Sequence, residues 1–369
     1  MSIYWNEKTK RLKPYVPGEQ PRDRKFIKLN TNENPYPPSP LVIEAIQKAA
    51  CETLRLYPDP ACTELREAIA ARYKLKYEQV FAGNGSDEIL AFAFAAFFGS
   101  GAGDVLFPDV TYSFYPVYAE LWGVPYKTIP LEPDFSIDIE AYIEIMSQGG
   151  SDGIIIANPN APTGMALPLD AVMKLASAAE LKKRVLVVDE AYISFAEGEG
   201  IESAVSLLKE FPNLLIIRTL SKEASLAGLR VGFAMGDEGL IEGLNKIRDS
   251  FNSYVLDRLA LAGASAAIMD ASYYDQINRR IINTRRSVSA GLGALGFTVL
   301  PSQANFVFAA PPALCGKSGQ DFFTALRERG FLVRHFNKSR ISDFLRISIG
   351  TDDDMEDFLE ACKAIVTEE

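Results

Sequence analysis

The chain has 369 residues, a formal net charge of -10 and 48% hydrophobic residues, values typical of a globular protein. This length is enough for two domains, or for one large α/β domain with an appendage. The acidic balance argues against a nucleic acid as the main partner, because phosphate backbones attract basic surfaces. The most apolar stretch, residues 89–98, is about half the length that a membrane span needs.

The four cysteines lie far apart without the spacing of metal ligands, and the first residues lack the apolar stretch of a secretory signal. Scattered thiols in a chain of this size are typical of a reducing compartment, so we expect a soluble cytoplasmic protein without a metal site. His335 is the only histidine, and a histidine-based triad would depend on it alone. Acid–base chemistry is therefore expected from lysine, tyrosine or carboxylate side chains.

Residues 1–38 are rich in proline, asparagine and charge, which predicts an extended arm that packs against the small domain or a partner subunit. A helical pattern begins at Leu41, and short apolar runs then alternate with helical stretches. This alternation predicts an α/β domain with a mostly parallel sheet over residues 39–270. Buried strands are expected at the continuously apolar runs 80–82, 105–107, 154–156, 185–188 and 214–217.

The pattern changes after residue 270. A helix carries Ile277, Ile281 and Ile282 on one face, and the pairs Arg279-Arg280 and Arg285-Arg286 are interpreted as its solvated face. Strands and helices then mix, which predicts a smaller α+β domain over residues 271–369. Its strands are expected at 297–300, 305–308 and 345–349, and its later helices at 320–329 and 353–366.

Polar residues directly follow three of the predicted parallel strands. The loop 158–164 follows the first, Asp189 and Tyr192 follow the second, and Lys222 follows the third. In open α/β sheets ligands bind beyond the carboxyl ends of the strands, so these residues should face one crevice.

A glycine turn should lie at the same edge of the sheet. Gly85 closes a tight turn after the run at 80–82, and Ser86 and Asp87 then begin a predicted helix. Free backbone N–H groups and the positive end of that helix would make an anion site.

These residues together fit pyridoxal phosphate (PLP). Its aldehyde needs a lysine, for which Lys222 is the candidate, and its ring nitrogen needs a buried carboxylate, for which Asp189 is the candidate. Tyr192 and an asparagine of the loop 158–164 can donate hydrogen bonds to its phenolic oxygen. Each residue alone has an ordinary structural explanation, and their joint occurrence favours the cofactor site. An arginine and hydroxyls for the phosphate, and a ring for the cofactor face, are expected from Arg230, Thr219, Ser221 and Tyr112.

The spacing of Thr219, Ser221 and Arg230 around Lys222, together with Asp189-Glu190-Ala191-Tyr192, resembles the fold-type I PLP aminotransferases of class I/II. The resemblance covers nearly the whole chain. Residues 218–222 and 30–35 are most similar to the subgroup of histidinol-phosphate aminotransferases. The resemblance implies the PLP-transferase fold, phosphate contacts from Ser86 and Asp87, and a homodimer in which Tyr57 reaches the partner's PLP phosphate.

The resemblance also implies substrate contacts. Arg346 would bind the substrate carboxylate, Arg334 would bind a second anionic group, and Tyr15 would close over the substrate. The family usually has asparagine directly before Pro-Thr-Gly, but this chain has Ala161. Asn160 or Asn158 would then donate to the phenolic oxygen, with Asn160 the expected donor.

The expected reaction transfers the amino group of histidinol phosphate to 2-oxoglutarate, giving imidazole-acetol phosphate and glutamate, as in histidine biosynthesis. Lys222 would be the proton carrier as well as the anchor of the cofactor. The same arginine pair suits aromatic amino acids and phosphothreonine, so an aromatic aminotransferase and a threonine-phosphate decarboxylase stay open as alternatives.

Two alternatives from other classes of protein are less favoured. A PLP-sensing regulator would need a DNA-binding segment, for which residues 1–24 are too short. A phosphate-binding module without catalysis would not explain why Asp189 and Lys222 occur together.

Overall fold

The computed structural model describes residues 2–15, 18–21, 24–101 and 103–368. The helices of these ranges are α1 (Glu7–Arg11), α2 (Pro40–Ala49), α3 (Thr63–Tyr73), α4 (Gly85–Phe97), α5 (Tyr115–Trp122), α6 (Ile139–Ser147), α7 (Leu169–Glu180), α8 (Leu220–Glu223), α9 (Glu238–Phe251), α10 (Arg258–Met269), α11 (Ala271–Ala294), α12 (Gly319–Glu328) and α13 (Asp352–Thr367). The strands are β1 (Ile27–Lys28), β2 (Val80–Gly83), β3 (Asp104–Pro108), β4 (Tyr126–Ile129), β5 (Ser151–Ala157), β6 (Val185–Asp189), β7 (Leu214–Thr219), β8 (Gly232–Gly236), β9 (Thr298–Val299), β10 (Phe306–Ala310), β11 (Phe331–Leu332), β12 (Arg334–His335) and β13 (Leu345–Ser348).

A seven-stranded sheet, in the order β2-β8-β7-β6-β5-β3-β4, forms the large part of the molecule. Strand β8 runs antiparallel to both of its neighbours, while the pairs from β7 to β4 are parallel. The predicted α/β fold with a mostly parallel sheet is therefore confirmed. Strands β4 and β8 were not predicted, because β4 has two adjacent polar residues, Lys127 and Thr128, at its centre and β8 begins and ends with glycine.

Both faces of this sheet are covered, which explains the uninterrupted apolar runs of its central strands. Ile154 and Ile156 point into a core that also contains residues of α2, α3, α7 and α10. Ile155 and Val187 point into a second core with residues of α4, α5 and α9. Successive strand residues thus alternate between two apolar cores.

A smaller four-stranded antiparallel sheet, β12-β13-β10-β9, packs with α11, α12 and α13. The predicted isoleucine face of α11 lies in its core, where Ile281 contacts the cluster that includes Phe306 and Phe358. Helix α11 begins at Ala271, next to the predicted domain boundary, and the boundary itself stays a prediction.

The amino-terminal arm is not wholly extended, because it contains the short helix α1. Its strand β1 pairs in parallel with β11, with Ile27 opposite Phe331. In the described part of the chain, the helices are too short or too polar to cross a membrane.

The interpretation of Arg285-Arg286 as a solvated pair was wrong for Arg285, which is only 3% exposed. Its Nη1 donates to the carbonyl oxygens of Phe195, at 2.7 Å, and Ala304, at 2.8 Å. Its Nη2 lies 3.2 Å from a carboxylate oxygen of Glu197. Carbonyl groups distant in sequence therefore hold this arginine inside, a contact that local charge patterning does not show.

Candidate active site

A cavity of about 150 Å³ lies beyond the carboxyl ends of β5, β6 and β7, at the edge where the sequence predicted a crevice. Most of the predicted site residues line it. These are Tyr15, Ser86, Asp87, Tyr112, Asp189, Tyr192, Thr219, Ser221, Lys222, Arg230, Arg334 and Arg346.

Lys222 lies on the one-turn helix α8, directly after β7. The Thr219 hydroxyl caps this helix by accepting a hydrogen bond from the Ser221 N–H at 3.1 Å. The Lys222 Nζ donates to the carbonyl oxygen of Thr31 at 2.9 Å. Burial, reinforced by the positive charge of Arg346, lowers the pKa of Lys222 to about 8. A substantial fraction of this amine is thus neutral near physiological pH, as a nucleophile or a base requires.

Asp189 ends β6 and is almost fully buried. Burial raises the pKa of its carboxyl to about 7, although hydrogen bonds from Tyr115 and from the Ala191 N–H oppose this shift. The Tyr115 hydroxyl donates to Oδ2 at 3.1 Å, and the Ala191 N–H donates to Oδ1 at 3.2 Å. A carboxylate in this environment favours a cationic partner, such as a protonated ring nitrogen. Tyr115 was not predicted, because nothing near it in sequence indicates Asp189 as its partner.

The beginning of α4 forms the anion-binding end of the cavity. Gly85 has φ +77°, and a Cβ there would lie 2.7 Å from Nη2 of Arg230. The same arginine pairs with Asp87 Oδ2 at 3.1 Å and donates to Ser221 Oγ at 3.4 Å. The glycine thus lets the arginine approach the helix amino terminus, where a phosphate would meet N–H dipoles and a guanidinium together. Gly85 supports this arrangement but does not itself line the cavity.

Tyr112 presents a half-buried ring to the cavity. Its hydroxyl donates to Asp87 Oδ1 at 2.6 Å, which fixes the orientation of the ring. Burial, with the negative charge of Asp87, raises the pKa of Tyr112 well above its ordinary value, so the phenol stays neutral. The ring is therefore a rigid flat surface on which a planar cofactor can stack.

Residues 30–34, here called the 30–34 segment, form a wall that the sequence singled out without giving it a role in the site. Its residues hydrogen-bond in succession to groups of the cavity. Arg346 Nη2 donates to the Asn30 carbonyl at 2.8 Å, Lys222 Nζ to the Thr31 carbonyl at 2.9 Å, Asn32 Nδ2 to the Tyr192 hydroxyl at 3.0 Å, and Asn34 Nδ2 to the Lys222 carbonyl at 3.1 Å.

The end of the cavity formed by the small sheet carries the two predicted substrate arginines. Arg334 and Arg346 are paired across β12 and β13. The Nε of Arg346 is buried without a hydrogen-bond partner among the described residues, an arrangement that an anionic substrate group would relieve. Tyr15 stacks on Phe114 with ring centroids 4.3 Å apart, so the arm covers the cavity beside these arginines.

The structure does not bring Asn160 to the cavity. Its Nδ2 donates to the Val110 carbonyl at 3.0 Å and to Thr163 Oγ1 at 3.1 Å, and its Oδ1 accepts from Thr111 at 2.8 Å. Asn158 is likewise engaged, through both amide atoms, with the backbone of Leu167. Of this loop, Ala161 is the residue that lines the cavity.

Tyr57 also lies outside the cavity and is 79% exposed. It stacks on Tyr254 with ring centroids 4.5 Å apart. The described residues contain no cluster of side chains suited to a metal ion. His335 hydrogen-bonds through Nε2 to the Ser342 carbonyl at 2.7 Å and does not line the cavity.

Comparison with known proteins agrees with this geometry. The family model described as aminotransferase class I and II matches residues 24–362. The histidinol-phosphate aminotransferase of Clostridium acetobutylicum is 51% identical over 366 residues, which cover 99% of this chain and 100% of that protein. The enzyme of the same name from Clostridium beijerinckii is 50% identical, covering 100% of this chain and 98% of that protein. Among solved structures, histidinol-phosphate aminotransferase from Sinorhizobium meliloti in complex with pyridoxal-5'-phosphate aligns with a TM-score of 0.87 at 26% identity, covering 99% of this chain and 98% of that one.

Proposed function

The chain belongs to the class I and II aminotransferases, and on that premise we propose that it is a PLP-dependent histidinol-phosphate aminotransferase. It would transfer the amino group of histidinol phosphate to 2-oxoglutarate, giving imidazole-acetol phosphate and glutamate, a reaction of histidine biosynthesis. The observation that carries this proposal is a single cavity that joins Lys222 and Asp189 to an anion site at one end and two arginines at the other.

The residues present fit PLP. The aldehyde would meet Lys222, the ring nitrogen would meet Asp189, and the phosphate would occupy the cradle that Gly85 keeps open beside Arg230. Asp189 carries a raised pKa because it is buried without a cation, and a protonated ring nitrogen would supply that cation. Thr219 and Ser221 add hydroxyls at the phosphate end, and Tyr112 provides the stacking surface.

When bound, PLP accepts electron density from the substrate Cα through its protonated ring. The protein's own groups then control the transfer of the proton from the substrate Cα. With a pKa of about 8, the Lys222 amine can accept the proton from Cα and release it again. Asp189 would keep the ring nitrogen protonated, and Tyr192 would donate a hydrogen bond to the phenolic oxygen. This scheme uses no histidine, in agreement with the position of His335 outside the cavity.

Arg334 and Arg346 explain how one site serves both half-reactions. Histidinol phosphate carries a phosphate, and 2-oxoglutarate carries two carboxylates, so both substrates present anions to the same guanidinium pair. A substrate without an anionic group would leave the buried Nε of Arg346 without a partner.

Rates measured on a set of substrates test this function. With 2-oxoglutarate as acceptor, kcat/KM for histidinol phosphate should exceed that for phenylalanine by roughly a hundredfold. The phosphate can engage both guanidinium groups while the carboxylate of phenylalanine engages one, and a lost charge-assisted contact costs about 3 kcal/mol. Phosphothreonine should release no carbon dioxide. A preference for phenylalanine, or carbon dioxide release, would replace the proposal with one of the alternative enzymes.

We further propose a homodimer in which Tyr57 completes the neighbouring site. In support, Tyr57 is highly exposed, and Leu54 and Leu56 beside it expose about half of their surfaces. A monomer rarely leaves such a group of apolar side chains in water. The four cysteines are unpaired in the structure, which supports a reducing compartment such as the cytoplasm.

Subunit mixing tests the shared site. A Lys222→Ala subunit retains Tyr57, and a Tyr57→Ala subunit retains Lys222, so a mixed dimer contains one complete site. Mixing the two variants should restore activity that neither has alone. A mixture that gains no activity, or a protein that sediments as a monomer, would contradict the proposal.

A further inference from the structure

The loop 158–164 gives the cavity a methyl group where a donor for the phenolic oxygen was expected. Ala161 lines the cavity, while the amides of Asn158 and Asn160 are buried and engaged with other partners. Rotating either asparagine toward the cavity would leave buried backbone groups unpaired, which costs about 1–3 kcal/mol for each group. The loop therefore supplies no amide donor at the cavity, and the phenolic oxygen would depend on Tyr192.

Asn32 is the side-chain amide that the structure places at this wall. It lines the cavity and is only 1% exposed. Its Nδ2 donates to the Tyr192 hydroxyl at 3.0 Å, and the described residues offer this nitrogen no second acceptor. The amide thus contacts Tyr192, the tyrosine that is expected to donate to the phenolic oxygen.

The small sheet fixes the direction of this amide. Ser348 Oγ accepts from the backbone N–H of Asn32 at 2.8 Å and donates to its Oδ1 at 2.9 Å. Asn305 Nδ2 holds the Asn32 carbonyl at 3.0 Å. With Oδ1 occupied by Ser348, Nδ2 is the amide atom directed at Tyr192.

The hydrogen bond from Asn32 determines where the Tyr192 hydroxyl can direct its own hydrogen. A phenol has one hydrogen to donate, and in Tyr192 the oxygen already accepts from Asn32. The Tyr192 hydrogen is therefore free to point into the cavity instead of being used on a neighbouring protein group. Burial raises the pKa of Tyr192, so the phenol keeps this hydrogen at neutral pH.

We propose that Asn32 is a positioning residue that makes Tyr192 a donor to the phenolic oxygen of PLP, in place of the amide missing at Ala161. This inference rests on the proposed use of PLP. A donor at the phenolic oxygen stabilises its negative charge, so the adjacent nitrogen of the bound cofactor releases its proton at lower pH. The pH midpoint of the visible absorption of the PLP-loaded protein reports this effect without any turnover.

The test compares Asn32→Ala, Tyr192→Phe and the double variant. Each single change should raise the absorption midpoint by about one pH unit, the equivalent of one hydrogen bond of ordinary strength. The double variant should match Tyr192→Phe alone, because Asn32 acts through the tyrosine. Adding Ala161→Asn to Asn32→Ala should move the midpoint back toward the wild-type value.

Two further variants separate this role from a loss of packing. Asn213→Ala removes a half-buried amide that bonds the carbonyls of Ala176 and Arg184 away from the cavity. It should lower the melting temperature without moving the midpoint. Ser348→Ala retains Asn32 but frees its amide, and it should raise the midpoint by less than Asn32→Ala does, which keeps the test available if the latter fails to fold.

The possible results are distinct. An Asn32→Ala midpoint equal to wild type, or additive shifts in the double variant, would overturn the role of Asn32 and leave the proposed function standing. A wild-type protein that binds no PLP would overturn both.

Discussion

Asp189→Asn in the protein freed of cofactor should remove a specific part of the dependence of stability on pH. In the folded protein burial raises the pKa of Asp189 from 3.8 to about 7, a difference of about 3 units. Between these two values the unfolded chain has lost the proton that the folded chain retains. Rising pH therefore favours unfolding, and the stabilising proton is fully lost once the pH passes the folded pKa of about 7.

The magnitude follows from the linkage between protons and folding. Each unit of pKa difference corresponds to about 1.4 kcal/mol, so Asp189 should lower the free energy of unfolding by about 4 kcal/mol between pH 4 and pH 7. The asparagine variant cannot lose a proton there. The stability of wild type minus that of the variant should thus fall by about 4 kcal/mol over this range and then stay constant.

Urea unfolding of both proteins at several pH values, followed by two independent probes, measures this difference. Tyr115→Phe provides a second variant, because the loss of its hydrogen bond to Asp189 should extend the fall beyond pH 7. A difference between wild type and Asp189→Asn that does not change from pH 4 to pH 7.5 would refute the argument that burial controls this carboxyl.

Three further predictions follow from the geometry. Lys222→Ala should abolish turnover and the visible absorption of bound PLP. In the cofactor-free wild-type protein, the rate of acylation of Lys222 should rise with pH with a midpoint near pH 8, set by its lowered pKa. A midpoint near that of ordinary lysines would contradict the effect of burial. Gly85→Ala should weaken PLP binding at least about tenfold in a fluorescence titration, because φ is +77° and the added Cβ meets Arg230. Glu223→Ala should lower the free energy of unfolding by about 3–5 kcal/mol, because it leaves the buried guanidinium of Arg218 without its carboxylate. Glu223→Gln should lower it by less. Equal losses of the two variants in urea unfolding would contradict a stabilising role for the buried ion pair.

Site residues that lie at the end of a strand or in the loop after it could be predicted from the sequence. Asp189 and Lys222 could be placed because parallel strands bring their carboxyl ends to one edge. Asn32 could not, because its partner Ser348 lies 316 positions away and no local pattern connects the two. Asn160 was expected at the cavity because an asparagine two residues before Pro-Thr-Gly looks equivalent to one directly before it. In the structure, the Val110 carbonyl and two threonine hydroxyls engage that side chain instead.

The same difference between local patterns and contacts distant in sequence explains which parts of the fold were predictable. Continuous apolar runs identified β5, β6 and β7, because a strand that is buried on both faces has apolar residues at successive positions. Strand β8 has glycine at both ends and lies between two strands that run opposite to it, information that only the assembled sheet contains.

The contacts of the 30–34 segment also set an order of events during synthesis. Asn32 is made early, but the Ser348 that orients its amide is added 316 residues later. At a synthesis rate of about 5–20 residues per second, this interval lasts roughly 15 to 60 seconds. A chain that stops short of β13 lacks both Ser348 and the substrate arginine Arg346. Such incomplete chains would form an imperfect cofactor site, so capture of PLP would distinguish finished polypeptides from truncated ones.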